Sequence, residues 1–410
     1  MSAARPIIVQ KYGGSSVADA GRIRHVAARV TRREREGNAL VVVVSAMGDT
    51  TDELIALARE ITPHPRAREL DMLLSTGEIA SSALLAMALH ELGQDAVSLT
   101  GLQTGIQTDA VHSKARILNV DPRRVVEELD RGRVVIIAGF QGVTAELDVT
   151  TLGRGGSDTT AVALAVALKA ERCERFTDVD GVYTTDPRVE PRARKLRDIG
   201  YEEMLELASQ GAQIMHPRAV ELGQLYDLPI LVASSFSDEP GTLIHGAASM
   251  EPTNKVRGIA HDLDVAKITV RGVPDRPGIA AAIFGPLADA HISVDTIVQN
   301  ASLENLTDLT FTLGKGDLHR ALQLTEPLAS EIGAAGLASD AQLGKISIVG
   351  TGMQNTPGYA ALMFRTLFEA GINIQLITTS EIRITCIIGE RDVTTAVRAL
   401  HRAFELESAD

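Results

Sequence analysis

The chain has 410 residues, 45% of them apolar and 23% charged, which is the composition of a soluble protein large enough for two or three domains. A net charge of −13 and an aromatic content of 3% argue against nucleic acids and anionic membranes as partners. The two cysteines, Cys173 and Cys386, lie far apart and form no CxxC motif, which excludes a disulfide framework and favours a reducing compartment.

The N-terminal segment "MSAARPIIVQKYGG" is too short and too weakly apolar for a signal peptide. No apolar run reaches the roughly 18 residues that cross a bilayer, and the helix after Ser157 comes closest. The sequence therefore predicts a cytoplasmic protein.

Up to about residue 250, short apolar β-type runs alternate with helical stretches. This alternation predicts an α/β domain of three layers, in which helices cover both faces of a mostly parallel sheet. In such sheets ligands bind beyond the carboxyl ends of the strands. The predicted segments are a strand in 6–14, a strand, turn and helix in 39–60, a helix in 78–93 closed by Gly93, and strands in 133–142 and 228–235.

The segment "TLGRGGSDTTAVALAVAL" concentrates glycine and charge before a long apolar run. We expect Ser157 to cap a helix that begins at Asp158. Gly155 and Gly156 let backbone N–H groups turn towards an anion, and Arg154 adds a guanidinium that matches a carboxylate or a phosphate. The segment therefore predicts an anion site at a helix N-terminus.

Two further polar turns follow predicted strands, in "KYGGSS" (11–16) and "FTDVDGVYTTDPR" (176–188). The Walker pattern GxxxxGK[ST] and the protein-kinase HRD and DFG signatures are absent. Any phosphate must therefore be bound by another fold.

These segments carry a family resemblance. In chain order, "KYGGSS", "VSAMGDTTDEL", "LLSTGE", "AGFQG", "TTLGRGGSDTTA" and "FTDVDGVYTTDPR" resemble the aspartate kinases (aspartokinases) of the amino-acid kinase superfamily, over about residues 5–405. The resemblance implies a carbamate-kinase-like catalytic domain. It also implies ATP-dependent phosphorylation of the β-carboxylate of L-aspartate to 4-phospho-L-aspartate, the first step towards lysine, threonine and methionine.

The resemblance assigns roles position by position. The expected catalytic residues are Lys11, which would contact the transferring phosphate, and Asp158, which would orient the cations around it. Arg154 and Glu78 would bind the α-carboxylate and the α-amino group of the substrate, Glu78 from the head of its helix. The whole substrate set is Ser45, Thr51, Glu78, Phe140, Arg154, Gly155, Gly156 and Ser157. The expected ATP-binding set is Lys11, Tyr12, Gly13, Gly14, Thr177, Asp178, Tyr183, Asp186 and Arg188.

The reaction makes one physical demand on such a site. The acceptor carboxylate is ionised at pH 7 and needs no general base, but two unit charges about 4 Å apart repel by roughly 4 kcal/mol at an effective dielectric of 20. Cations and aligned backbone donors must offset that repulsion. No carboxylate cluster marks a dedicated metal cage, so we expect Mg²⁺ to arrive on the ATP phosphates.

The sequence departs from the family pattern at one position. In "SQGAQIMHPRAVE" the family usually has a lysine that meets the nucleotide phosphates, and here that position is Gln213. His216 or Arg218 could supply the missing cation.

After a predicted linker, the sequence repeats itself with an offset of 80 residues, so that Pro277 matches Pro357 and Gly278 matches Gly358. Each copy is predicted to form a strand, a Pro-Gly turn, a helix, a strand, a hairpin and a last helix. The copies resemble the paired ACT regulatory domains of the family, which are α+β and ferredoxin-like. The predicted division is a catalytic domain at 1–248, a linker with a strand donated to the second ACT domain at 249–262, and ACT domains at 263–340 and 341–410.

By the same resemblance the repeats bind end-product amino acids, lysine or threonine or both, at interfaces between ACT domains. A threonine-type site would use Asp275, Pro277, Gly278, Ile279, Ala280, Gln299 and Asn300. A lysine-type site would use Met353, Thr379, Ser380 and Glu381. The chain would form a homo-oligomer, or an α₂β₂ assembly with a small subunit that starts internally at Met250.

Two other functions stay open at this point. The chain could phosphorylate another carboxylate, such as that of glutamate or N-acetylglutamate. It could also be an amino-acid sensor whose kinase part has decayed, although Lys11, Arg154 and Asp158 are all present.

Overall fold

The computed structural model describes residues 5–212, 214–246, 255–300, 305–353 and 356–408. By their internal contacts these residues form two compact units. The first takes in the described residues within 1–183, 195–208 and 213–251. The second takes in 184–194 and 209–212 together with the described residues after 252.

The first unit is built on a mostly parallel sheet. Its strands are β1 (Ile7–Tyr12), β2 (Ala39–Val44), β3 (Ala96–Leu99), β4 (Ile106–Thr108), β5 (Ile117–Val120), β6 (Val134–Ala138), β7 (Gln141–Val143), β8 (Val149–Thr151), β9 (Arg172–Thr177), β10 (Asp198–Gly200), β11 (Ile230–Ser234) and β12 (Thr242–His245). Eight of them form one sheet in the order β10-β12-β11-β9-β1-β2-β6-β3, and β5-β4-β7-β8 form a small second sheet. β1 lies between β2 and β9 and is parallel to both, whereas β12 is antiparallel to β11. The predicted α/β class is confirmed.

The helices of this unit are α1 (Ala20–Arg35), α2 (Thr50–Ile61), α3 (Ala67–Glu91), α4 (Arg123–Asp130), α5 (Gly156–Ala167), α6 (Tyr201–Ser209) and α7 (Pro217–Leu225). The core lies between α1, α3 and the buried faces of β1, β2 and β6. β2 is buried along Leu40–Val44 because its unbroken apolar run is covered on both faces.

The expectation that a helix starts at residue 78 is wrong, because α3 begins at Ala67 and places Glu78 in its interior. The Ser75 and Thr76 hydroxyls donate back to the carbonyls of Met72 and Leu73, at 2.8 and 2.7 Å, and so stay inside the helix. Glycine is required at position 77 for packing, because a Cβ there would lie 2.8 Å from the Cβ of Ala46.

The expectation that the helix after Ser157 comes closest to a membrane span is wrong, because α5 has only 12 residues whereas α3 has 25. Among the described residues, α3 alone is long and apolar enough to cross a membrane, and half of its most apolar window is buried within the protein. It packs against α1 and β6 in the core of the first unit, which is the usual position of such a helix in a folded domain.

The predicted cap of α5 is also wrong. The helix begins at Gly156, its N-cap is Gly155 with φ +70°, and Ser157 lies in the first turn. The carbonyl of Gly155 accepts from the backbone N–H groups of Asp158 and Thr159, at 3.1 and 3.3 Å. The helix starts before Ser157 because Gly155 adopts, as its N-cap, a left-handed conformation that is open to glycine and unfavourable for a residue with a side chain.

The second unit contains one six-stranded sheet with helices on it. Its elements are β13 (Gly258–Pro274), α8 (Ile279–Asp289), β14 (Ile297–Gln299), β15 (Leu306–Leu313), α9 (Leu318–Glu331), β16 (Gly336–Val349), α10 (Tyr359–Glu369), β17 (Ile374–Thr379), β18 (Arg383–Gly389) and α11 (Val393–Ala403). The strand order is β14-β15-β13-β16-β18-β17. The order of elements repeats once, which confirms the two predicted α+β copies.

Two long central strands are shared between the copies. The first part of β13 pairs with the second part of β16, from Gly258 opposite Val349 to Asp262 opposite Lys345. The remainder of β13 pairs with β15 and with the start of β16. Val256 and Ile259 accordingly lie in the core of the second copy, whereas Ile268 lies in the core of the first.

Candidate functional site at the carboxyl ends of the parallel strands

The turn after β1 packs tightly against the loop after β2. The backbone N–H of Gly48 donates to the carbonyl of Gly14 at 3.1 Å, and a Cβ on Gly14 would lie 2.8 Å from the Ala46 carbonyl oxygen. Gly14 is needed because no side chain fits between these two backbones. The "KYGG" turn is thereby held beside the loop that contains Ser45.

The turn after β6 lies against the first turn of α5. A Cβ on Gly139 would lie 2.9 Å from the Ser157 side chain, and the N–H of Phe140 donates to Thr160 Oγ1 at 3.1 Å. Phe140 itself has φ +70°, an uncommon conformation for a residue with a side chain. Four of the predicted segments thus converge at one sheet edge.

Lys11 and Asp158 form a buried ion pair at this edge. Lys11 Nζ lies 2.7 Å from Asp158 Oδ1, and the two side chains are 8% and 6% exposed. Burial opposes ionisation of Asp158, but Arg175 and Lys11 outweigh it and lower the pKa of the carboxyl to about 2. Burial lowers the pKa of the Lys11 ammonium, and Arg175 lowers it further, against the attraction of Asp158.

Arg175 is a member of this cluster that sequence reasoning missed. Its Nε lies 3.1 Å from Asp158 Oδ2, so one carboxylate serves two cations. The available signal was strand alternation, because Arg175 is two residues before Thr177 on β9 and therefore shares its face. Without the pairing of β9 with β1, however, that face could not be related to Lys11.

Glu78 extends from α3 towards the loop after β2. Its Oε1 accepts from the Ala46 N–H at 3.1 Å, and its Oε2 is buried with no hydrogen-bond partner among the described residues. Burial raises the pKa of this carboxyl to about 7, although the Ala46 N–H opposes the change. A buried carboxylate oxygen without a donor is suited to a ligand that brings one.

His216 covers the glycine turn before α5. A Cβ on Gly155 would lie 2.4 Å from the His216 ring carbon Cδ2, so the ring occupies the space that any side chain there would need. Burial and the charge of Arg218 lower the pKa of His216 below its usual value, so the ring is neutral at pH 7.

Arg154 is exposed, and none of the described residues forms an ion pair with it.

Arg218 and Asp71 hold the strand that leads into this turn. Arg218 donates to the carbonyls of Leu152 and Ala115, at 3.0 and 3.1 Å. Asp71 is fully buried and accepts from Thr151 Oγ1 at 2.6 Å and from His112 Nδ1 at 2.8 Å. Neither His216 nor Arg218 is therefore a free cation, and Gln213 itself lies outside the described residues.

The predicted nucleotide residues divide between the two units. Thr177, Asp178 and Tyr183 belong to the first, and the N–H of Gly13 donates to the carbonyl of Phe176, beside Thr177, at 3.3 Å. Tyr183 donates to Asp180 Oδ1 at 2.7 Å, and burial followed by Asp180 raises the pKa of the phenol to about 12.

Two members of the nucleotide set, Asp186 and Arg188, belong to the second unit, where they form an ion pair at 2.8 Å. Their place beside Lys11 therefore stays a prediction. The Tyr12 side chain is fully buried in the core and stacks on Phe176, which leaves only its backbone for a ligand.

The effector residues predicted from the repeat lie at the turns and edges of the second unit. Gly278 and Gly358 are the N-caps of α8 and α10, with φ +94° and +111°, so each Pro-Gly turn begins a helix as predicted. Asp275, Pro277, Ala280, Gln299, Asn300, Thr379, Ser380 and Glu381 are exposed, whereas Ile279 and Met353 are buried. Met250 lies outside the described residues.

Comparison with known proteins finds relatives over nearly the whole chain. A model of the amino acid kinase family matches residues 6–234, and models of the ACT domain match residues 268–329 and 346–404. The aspartokinase of Mycolicibacterium smegmatis is 50% identical over 409 residues, which cover 98% of this chain and 97% of that protein.

Two solved structures are similar over nearly their full length. The crystal structure of E. coli aspartokinase III in complex with aspartate and ADP (R-state) has a TM-score of 0.82 at 26% identity, and covers 97% of this chain and 99% of that one. The structure of the same enzyme in complex with lysine and aspartate (T-state) has a TM-score of 0.73 at 26% identity, with the same coverage.

Proposed function

The chain belongs to the aspartokinase family, and on that premise we propose how its residues carry out the reaction. The enzyme transfers the γ-phosphoryl group of ATP to the β-carboxylate of L-aspartate, the first step towards lysine, threonine and methionine. A carboxylate oxygen forms a bond to the γ-phosphorus, the bond from phosphorus to the β,γ-bridging oxygen breaks, and the electron pair leaves on ADP. The products are 4-phospho-L-aspartate and ADP.

The observation that carries the catalytic assignment is the buried ion pair of Lys11 and Asp158. Lys11 stands at the carboxyl end of β1 and Asp158 in the first turn of α5, where backbone N–H groups and the helix dipole attract anions. In this proposal Lys11 contacts the transferring phosphoryl group and Asp158 holds the ammonium in place. The cation offsets the repulsion between the carboxylate and ATP.

Binding of aspartate follows from the charges at the same edge. We assign the α-amino group to Glu78, because its buried Oε2 has no donor among the described residues. We assign the α-carboxylate to Arg154, because its exposed guanidinium forms no ion pair among them. The remaining wall of the pocket is proposed to consist of Ser45, Thr51, Phe140, Gly155, Gly156 and Ser157.

ATP is proposed to bind over the turns after β1 and β9. Its contacts would come from Lys11, the backbone of Tyr12, Gly13 and Gly14, and Thr177, Asp178, Tyr183, Asp186 and Arg188. Among the described residues no group of three or more His, Cys, Asp or Glu side chains could hold a metal, and both oxygens of Asp158 are already paired. Mg²⁺ is therefore proposed to arrive on the ATP phosphates, where it would neutralise charge.

The second unit regulates the enzyme through its ACT domains, proposed at 263–340 and 341–410 after a strand-donating linker at 249–262. The edge strands β14 and β17 end beside the predicted threonine-type and lysine-type residues, which supports effector sites where ACT domains pair. A homo-oligomer joined there, or an α₂β₂ assembly with a subunit started at Met250, is proposed. With ATP as co-substrate and both cysteines free and buried, the proposed location is the cytoplasm.

Coupled measurement of ADP release tests the reaction. We expect release that depends on L-aspartate and is far slower with glutamate or N-acetylglutamate. Faster release with either of the other acceptors would overturn the assignment of the substrate. Lys11→Met should abolish transfer while the circular dichroism spectrum stays unchanged, and equal activity of this variant would remove Lys11 from the mechanism.

Gel electrophoresis of purified enzyme tests the internal start. An α₂β₂ assembly requires a second band that corresponds to residues 250–410, and this band should disappear in Met250→Leu. A single full-length band in the wild type contradicts the small subunit and leaves the homo-oligomer.

A further inference from the structure

We propose that Arg175 is a second catalytic cation, whose guanidinium contacts the γ-phosphoryl oxygens of ATP. The inference rests on the proposed function and adds to it a residue that neither the family motifs nor the predicted site contained. Arg175 forms no bond to phosphorus in this proposal. It stabilises the charge on the group that Lys11 also contacts.

The strand pairing places the two cations side by side. β9 is parallel to β1, and the register sets Arg175 opposite Lys11. Both side chains reach the same carboxylate, Lys11 at Oδ1 and Arg175 at Oδ2. Since Arg175 is only 12% exposed, its charge acts in a medium of low dielectric, where it is worth more than at the surface.

The free part of the guanidinium indicates a ligand. Nε is committed to Asp158, but the buried Nη1 has no hydrogen-bond acceptor among the described residues, and these residues offer none to Nη2. An unpaired buried donor is costly, and more so when it is charged. On the opposite face of the same strand, by contrast, Arg172 donates through both Nε and Nη2 to Glu174 Oε1, at 2.9 and 2.6 Å.

The charge balance of the cluster supports the same assignment. Two cations share one carboxylate, which leaves one positive charge uncompensated at the edge where the phosphate is proposed to bind. Arg218 is committed to two backbone carbonyls and His216 is neutral at pH 7, so neither supplies this charge. A planar guanidinium offers two parallel N–H groups to a phosphate, which an ammonium does not.

The test compares Arg175→Met with Arg172→Met in the full-length enzyme. We expect Arg175→Met to lower kcat by about 10²- to 10³-fold, the usual effect of removing one donor to the reacting group. It should also weaken binding of ATP in the absence of aspartate and leave binding of ADP unchanged, because ADP lacks the γ-phosphoryl group. Arg172→Met should leave kcat and both affinities as in the wild type.

The outcomes separate a phosphate contact from a purely structural role. Unchanged kcat in Arg175→Met, or equal weakening of ATP and ADP, would overturn the proposal, and so would wild-type kcat and ATP affinity in Arg175→Gln, which keeps a donor to Asp158 but has no charge. If Arg175→Met does not fold, Arg175→Gln decides, since its amide can still donate to Asp158 without a charge. A wild-type enzyme without aspartate-dependent ADP release would instead overturn the proposed function.

Discussion

Lys11 and Arg175 occupy opposite positions on two neighbouring parallel strands, and both form an ion pair with Asp158. The strands bring two positive charges together, and Asp158 in the first turn of α5 supplies the carboxylate that offsets their repulsion. The site is thus a cation pair that depends on one acidic residue.

Asp158→Asn should lower the stability of the fold. It should also lower the pH above which activity is lost. The native pKa of about 2 lies below the ordinary 3.8, so the ionised group stabilises the fold above pH 3.8 and loses that effect as pH falls through 2. The contribution is about 2 kcal/mol. Without the carboxylate the pKa of Lys11 falls further, so the basic limb of kcat/KM should move to lower pH.

Glu174→Gln is the matched control for this variant. Glu174 is also buried between arginines, Arg33 at 3.1 Å and Arg172 at 2.6 Å, but on the opposite face of β9. Urea unfolding should show a loss of stability in both variants, and only Asp158→Asn should shift the pH–rate profile. A shift of the same size in Glu174→Gln would contradict the assignment to Lys11.

The affinity for aspartate should depend on pH through Glu78. A carboxylate must be ionised to accept an ammonium, and the pKa of Glu78 is about 7, so KM for aspartate should rise below that pH by up to about tenfold per unit. Glu78→Gln should remove this dependence and raise KM about 10- to 100-fold at pH 8. Glu91→Gln, exposed at the end of the same helix, should behave as the wild type. The same slope in Glu78→Gln would assign the titration to another group.

The stability of Glu78→Gln should change in the opposite sense from its activity. Because burial raises the pKa of Glu78, the folded protein holds a proton that the unfolded chain has released, and stability falls as pH rises from 4.5 to about 7. The variant should therefore be more stable than the wild type at pH 8, by up to about 3 kcal/mol, and equal to it at pH 4. Denaturant titrations at the two pH values measure the difference.

Gly155→Ala should inactivate the enzyme more than backbone strain alone explains. Gly155 and Gly93 have φ of +70° and +75°, so alanine costs about 1–2 kcal/mol at either position. At Gly155 the new Cβ would also lie 2.4 Å from His216 Cδ2, whereas at Gly93 nothing lies within 4 Å. We expect a loss of kcat/KM in Gly155→Ala only, partly restored by His216→Ala in the same chain. Equal losses in Gly155→Ala and Gly93→Ala would show that sterics at His216 do not matter.

The two effector sites should respond separately to mutation. Asp275→Ala should reduce inhibition by threonine, and Glu381→Ala should reduce inhibition by lysine. Each substitution removes the carboxylate that is proposed to pair with the ammonium group of the effector. Glu326→Ala, exposed on α9, is the control. Initial rates with each amino acid alone and with both together measure the response. Loss of both responses in either single variant would contradict two independent sites.

Sequence motifs were sufficient for the class of the fold, and they named two residues that the structure brings together as a buried ion pair. "KYGGSS" and "GRGGSD" led to Lys11 and Asp158, and the 80-residue offset led to two α+β copies, because these signals are local and periodic. The sequence predicts the start of α3 at residue 78, which is too late, because the helix runs through Ser75, Thr76 and Gly77. Such residues usually break a helix, but here their hydroxyls bond within it and the glycine is needed for packing against Ala46.

By itself the sequence indicated the reaction class through its resemblance to the aspartokinases, because the motifs that carry this resemblance are formed by residues close together in the chain. Only the tertiary structure decided that Arg175 joins Lys11, since that pairing joins strands about 160 residues apart and depends on their register. It also decided the burial that raises the pKa of Glu78 and leaves one of its oxygens without a donor. The charge state of a side chain and its hydrogen-bond partners depend on the local dielectric and on the neighbouring groups, and this environment exists only in the folded chain.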